Sequence, residues 1–101
     1  MFKIISRQEA IDVLRDIKHK IGAEKVFLFG SIARNQQHEL SDIDAIFVMD
    51  TPKRFHHRVD HIWDAYDGDL PIEPLVYTPE EFKRIKDSIT MQEMLRGSME
   101  I

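Results

Sequence analysis

A small α/β domain, a mixed β-sheet packed by helices, is the fold class this sequence predicts. Three observations carry the prediction. Short apolar runs rich in strand-forming residues, at 26–29, 43–49 and 72–77, alternate with stretches whose apolar residues recur at helical spacing. Serine and threonine capping signatures stand at the starts of helical stretches, and glycines at the ends of two of them. The length, 101 residues, suits one modest core, so 1–101 reads as a single domain.

In chain order, Ser6 opens the first helix, and Glu9 three residues on completes a capping box. Ala10, Val13, Leu14, Ile17 and Ile21 follow at helical spacing, and Gly22 stands where a left-handed cap ends such a helix. The Val-Phe-Leu-Phe run at 26–29 is a buried strand bounded by Gly30. Ser31 to Arg34 forms the first turn of a short helix, ended by Asn35, which tolerates the left-handed conformation. A polar loop over 36–40 leads into the second buried strand at 43–49. Thr51 is expected to cap a helix with Pro52 at its first position and Phe55, Val59, Ile62, Trp63 and Tyr66 as its apolar stripe. Asp67-Gly68-Asp69 is a turn. The third strand, 72–77, carries Pro74, which cannot donate to a ladder and so marks an edge or a bulge. Thr78 and Glu81 make a capping box for a helix that turns Phe82, Ile85 and Ile89 to the core. Thr90 and Glu93 repeat the box for a last helix bearing Met91, Met94 and Leu95 and ended by Gly97.

The charge balance restricts what the chain can bind. Charged residues make up 32% of it with the signs interleaved, which describes a solvated surface rather than a disordered tail. A net charge of −4 argues against bulk nucleic acid, so no direct DNA binding is expected. It leaves room for one nucleotide whose charge a metal neutralises locally. With no cysteine in the sequence, disulfides and thiolate metal sites are excluded, and a reducing cytoplasm is the expected setting. Met1-Phe2-Lys3-Ile4-Ile5-Ser6 lacks the apolar core of a leader, and no apolar run approaches the ~20 residues that span a bilayer, so no membrane partner is expected.

The chemistry concentrates in Phe29-Gly30-Ser31-Ile32-Ala33-Arg34 and Ser41-Asp42-Ile43-Asp44. A strand that turns at glycine into a helix presents free backbone N–H groups suited to a phosphate, and glycine lets that phosphate approach closely. Ser31 adds a hydroxyl donor and Arg34 a fixed positive charge. Asp42 and Asp44, two apart at a strand start, turn both carboxylates toward one side. Such a pair is tolerable around a hard cation, and Mg²⁺ takes one or two carboxylates together with water and phosphate oxygens. A second Mg²⁺ about 3.5–4 Å away would suit in-line displacement at phosphorus. Glu73, on the third strand, is the candidate third carboxylate, as metal ligand or base; Asp67 and Asp69 are rivals in a less rigid turn.

Gly30-Ser31-x-Ala33-Arg34 followed by Ser41-Asp42-x-Asp44 resembles the nucleotidyltransferase superfamily, above all its minimal bacterial and archaeal members. The resemblance implies the nucleotidyltransferase fold over nearly the whole chain. It implies Gly30 and Ser31 at the triphosphate, Asp42 and Asp44 on Mg²⁺, and a third acid on a later strand. Glu73 stands where aspartate is more usual, and Asn35 where glycine often stands. The activity implied is transfer of AMP from ATP to a hydroxyl. Minimal members resemble the antitoxin of a two-component system whose toxin is a helical HEPN-domain ribonuclease, silenced by AMP on a tyrosine or by binding alone.

Rival readings have their own features. A catalytically silent inhibitory cap would keep the fold without turnover, and Glu73 is the residue that would favour it. A transferase acting on RNA or a small molecule would need a partner subunit, and the acidic balance disfavours RNA. His57 and His61, four apart, could pair on a metal, but Arg58 breaks the metalloprotease pattern and a solvated helix face explains them. Met91, Met94, Leu95, Met99 and Ile101 are expected to be partly exposed and covered by the HEPN protein or by a second copy of the chain.

Overall fold

In the computed structural model, which describes residues 4–101, the first helix, α1 (Arg7–Ile21), is held at both ends by its own sequence. Ser6 Oγ accepts from the Glu9 N–H at 3.0 Å, and the Glu9 carboxylate accepts from the Ser6 N–H at 3.2 Å. Gly22 takes φ 68° and donates to Lys18 O. Ala10, Leu14 and Ile17 turn inward. Met1, Phe2 and Lys3, part of the stretch read for a leader, lie outside the described residues. Among those described, no helix is long and apolar enough to cross a membrane.

The sheet is mixed, as expected. It contains β1 (Lys25–Phe29), β2 (Ile43–Val48), β3 (Ile72–Tyr77) and β4 (Met99–Glu100), in the order β3-β2-β1-β4. β1 runs antiparallel to β2 and β4, and β2 runs parallel to β3. β3 is therefore an edge, the position Pro74 requires. On one face Val26, Leu28, Ile43, Ala45, Phe47, Ile72 and Val76 pack with α1, with α2 (Gly30–Ala33) and with Ile62 of α3 (Asp60–Ala65). On the other, Ile46 and Val48 pack with Phe82 of α4 (Pro79–Ile85) and Met91 of α5 (Ile89–Leu95). Phe27 stacks on Phe82 there, ring centroids 5.4 Å apart. Three layers result, with β2 buried in the middle because it has partners on both edges and both faces.

Several expectations need correction. The helix foreseen from Pro52 is broken into a 3₁₀ turn (Phe55–His57) and the short α3. Arg58 explains the break: its Nε donates to Lys53 O at 2.9 Å, taking the carbonyl a continuous helix would offer to His57. Thr51 caps nothing; its hydroxyl accepts from the Lys53 N–H and bonds His61 Nε2 at 2.8 Å. The stripe fails with the helix. Ile62 is buried, whereas Phe55 and Trp63 are each 47% exposed. His57 and His61 fall in different elements and form no pair. Ser88, not Thr90, caps α5, and Ile89 is exposed at the corner that follows. The C-terminal apolar residues meet the expectation in part: Met94, Leu95, Met99 and Ile101 remain partly exposed. Met91 is buried, Met94 and Leu95 pack beneath the sheet, and Met99 and Ile101 pack on the main core beside β1.

Candidate active site

The sheet aligns the predicted residues in one row. Phe29 at the end of β1 faces Asp44 of β2, and Asp44 lies beside Glu73 of β3. With strands about 4.8 Å apart, the row spans roughly 10 Å from the β1 turn to Glu73. The turn itself is Gly30, at φ 76°. A side chain there would be strained by that φ, and its Cβ would collide with Asp44 Oδ2 and lie 3.1 Å from Asp44 Cγ. Asp44 thus leans over the glycine, and its carboxyl borders the place a phosphate would occupy.

Electrostatics mark the same spot. Burial, hydrogen bonding to Glu73, and the charges of Glu73 and Asp42 push the Asp44 carboxyl up to about 6, against a smaller lowering by Arg34. Acids crowd here without enough positive charge to balance them. Among the described residues no three His, Asp or Glu side chains are gathered into a metal cage; the fold provides Asp44 against Glu73 with Asp42 at the strand entrance. That donor set fits a hard, oxygen-seeking cation of the Mg²⁺ kind, which completes its shell with water and phosphate.

Two further residues stand at the Gly30 turn. Ser41 is buried, and its Oγ lies 3.0 Å from Ser31 Oγ while accepting from the His38 N–H at 3.0 Å. When Ser41 donates to Ser31, the Ser31 proton is free for an anion. Ser41 lies within the motif, but its role depends on contacts with His38 and Ser31 that the motif does not mark. Arg34, exposed after α2, bonds Gln36 through Nε at 3.3 Å, and its charge reaches Asp44. Its stem passes Gly97, where a Cβ would lie 3.0 Å from Arg34 Cγ. Since α2 has four residues, its dipole is slight, and the free N–H groups of the turn matter more than the dipole.

The rivals for the third acid lie elsewhere. Asp67 faces Lys20 of α1, lining a separate cleft with Asp64 and His61, and Asp69 is exposed in its turn. Around the row opens a cleft of about 600 Å³ lined by Phe29, Asp44, Trp63, Ile72, Glu73, Pro74 and Leu75. Trp63 at this cleft was missed by the sequence reading, which placed it in the core; no local signal distinguishes the two.

Residues 10–96 match the family model of the nucleotidyltransferase domain. Among solved structures, the chain is similar to a candidate nucleotidyltransferase from Sulfolobus solfataricus, with 24% identity and a TM-score of 0.61 over 80% of this chain and 78% of that one. At that identity the likeness speaks for the fold. A comparison with curated proteins found no match.

Proposed function

The chain belongs to the nucleotidyltransferase domain family, a family of transferases, and on that premise we propose that it moves AMP from ATP to an acceptor hydroxyl with the help of Mg²⁺. The observation that carries the reading is the row from Gly30 through Asp44 to Glu73, with Asp44 pushed up to about 6 among uncompensated acids. Ser31 and the free N–H groups at Gly30 take the β- and γ-phosphates, with Arg34 alongside. Asp42 and Asp44 would supply the ligands for Mg²⁺, two ions in the fullest arrangement, with Glu73 as either a further ligand or the base. Bound there, Mg²⁺ neutralises phosphate charge and makes the α-phosphorus more electrophilic.

In the transfer, the acceptor oxygen bonds the α-phosphorus and the bond to the bridging oxygen breaks. Pyrophosphate leaves toward Gly30 and Ser31, and Glu73, in the base role, takes the acceptor proton. Positioning and charge neutralisation account for most of the rate. The acceptor is a tyrosine of a HEPN-type helical protein in the cytoplasm, a reading that rests on the sequence resemblance. The partner presents its tyrosine to the open cleft and covers the partly exposed Met94, Leu95, Met99 and Ile101. The chain is purified with a HEPN-type neighbour, incubated with Mg²⁺ and ATP, and the neighbour is weighed by mass spectrometry. The expected gain is one AMP, roughly 329 Da on a hydroxyl, abolished by Asp44→Asn. A stable complex without mass gain supports the inhibitory cap instead.

A further inference from the structure

We propose that Trp63 and Pro74 form the subsite for the acceptor, and that this subsite selects a hydroxyl carried on an aromatic ring. The inference rests on the nucleotidyl-transfer reading above, which already names a tyrosine hydroxyl, and assigns the side chains of this chain that receive its ring.

The geometry gives the cleft a direction. In-line displacement puts the leaving pyrophosphate and the attacking oxygen on opposite sides of the α-phosphorus. With the pyrophosphate at Gly30 and Ser31, the acceptor enters from the Glu73 end of the row, roughly 10 Å across the sheet. Among the described residues no further strand lies past Glu73, because β3 is the edge of the sheet. The cleft turns around that edge, from Glu73 and Leu75 on one face to Ile72, Pro74 and Trp63 on the other. Pro74 leaves no N–H there to be satisfied.

Trp63 has the properties of a platform. It is 47% exposed although it is the largest apolar side chain of the sequence. No hydrogen bond or ring contact ties its indole to another described residue, whereas Phe27 stacks on Phe82 and Phe55 meets Tyr77 in a tilted pair. Beside Pro74 it offers an apolar face to a ring and little to a polyhydroxyl acceptor. A phenol laid there would carry its hydroxyl toward Glu73. The transfer step is the one above, with the phenolic oxygen as the atom that bonds phosphorus and its proton passing to Glu73.

Trp63 is the single tryptophan, so its fluorescence reports the subsite directly. The intact chain is titrated with N-acetyl-tyrosinamide or N-acetyl-serinamide in the presence of Mg²⁺ and a non-transferable ATP analogue. AMP transfer to each probe from ATP is then followed by mass spectrometry, and ATP affinity is measured separately by calorimetry. The tyrosine probe should change the emission saturably and accept AMP; the serine probe should do neither. Trp63→Ala should raise KM for the tyrosine probe about 10-fold with kcat and ATP affinity within about 2-fold, and Trp63→Phe should restore most of the loss. An unchanged KM in Trp63→Ala, or equal transfer to both probes, overturns the proposal. So does weakened ATP binding at unchanged probe KM, which would assign Trp63 to the donor base. Loss of ATP binding in the wild type would remove the transfer reading, while a saturable response to the tyrosine probe alone would still support the ring subsite.

Discussion

Two carboxylates near opposite ends of β3 have opposite fates. At its start, Asp44 meets Glu73 and the charge of Asp42, and its pKa rises to about 6. Just beyond its end, Glu81 meets Arg58, with contacts of 2.5 and 3.2 Å, and its pKa falls to about 2. Arg58 is buried and also donates to Lys53 O and Val76 O, so one guanidinium ties the 50s segment, β3 and α4 together. The second region is built to be stable, since each charge has its partner. The first is left short of positive charge, and a domain keeps such a deficit where a ligand is to supply it. The contrast predicts that removing charge from the first region should affect activity, and from the second, stability.

The largest effect belongs to Asp44→Asn. The substitution keeps shape and removes one of the negative ligands. AMP transfer should fall by about 100-fold or more, the range seen when a charge-stabilising group is lost. The melting temperature without metal should hold or rise, because a crowded charge has gone. Turnover assays and thermal melts on the same preparation check both halves. A loss of activity matched by unfolding would erase the distinction between the two regions.

Glu81→Gln should do the reverse. The amide still accepts from the Thr78 N–H, so the α4 cap survives, but Arg58 keeps a buried charge without its counter-ion. Breaking a buried pair costs about 3–5 kcal/mol; the partial exposure of Glu81 and the remaining hydrogen bond reduce this to about 2 kcal/mol. For a domain of this size that lowers the melting temperature by about 10 °C. ATP affinity by calorimetry should stay at the wild-type value.

The two regions should also respond to pH with opposite signs. Glu81 is lowered from 4.5 to about 2, so its contribution is full above 4.5 and is lost as pH falls toward 2. Asp44 is raised from 3.8 to about 6, so the folded state binds its proton more tightly, and stability declines as pH rises through that window. Without metal, wild-type melts should therefore show a rise on going from pH 7 to about 4.5 and a fall below it. Asp44→Asn should flatten the upper limb and Glu81→Gln the lower. Mg²⁺ and ATP should cancel the upper limb by stabilising the ionised carboxylate.

What could be read from the sequence was local. Ser6 with Glu9, Thr78 with Glu81, Gly22 and Asn35 at positive φ, and Pro74 on an edge all follow from interactions within a few residues. The positive φ of Gly30 at the strand end and the place of Asp44 at the start of β2 follow for the same reason. The role of Glu73 as neighbour of Asp44 needed only that the second and third strands be adjacent. What escaped depends on distant contacts. Arg58 stops a helix by reaching Lys53 O, yet its counter-ion lies 23 residues away. Trp63 matched a helical stripe whose helix does not exist at that length. The β4 strand is two residues, too short for any periodicity, and forms because β1 has a free edge. Its formation is what packs Met99 and Ile101 against the core while leaving each partly exposed.

Ser41→Ala should give the smallest effect and the sharpest view of the phosphate side. The Ser41 hydroxyl is buried between the His38 N–H and Ser31 Oγ. Losing it frees Ser31 to turn its proton away from the phosphate and leaves the His38 N–H without its acceptor. A neutral hydrogen bond contributes about 0.5–1.5 kcal/mol, so ATP affinity should weaken roughly 3- to 10-fold. Ser31→Ala should weaken binding at least as much, since it removes the donor itself. The double variant should then be no worse than Ser31→Ala, because Ser41 acts on the nucleotide only through Ser31. Calorimetry on the three proteins measures the coupling. Additive losses would mean that Ser41 reaches the ligand by a separate route, and the phosphate side would have to be redrawn with Ser41 as a direct contact.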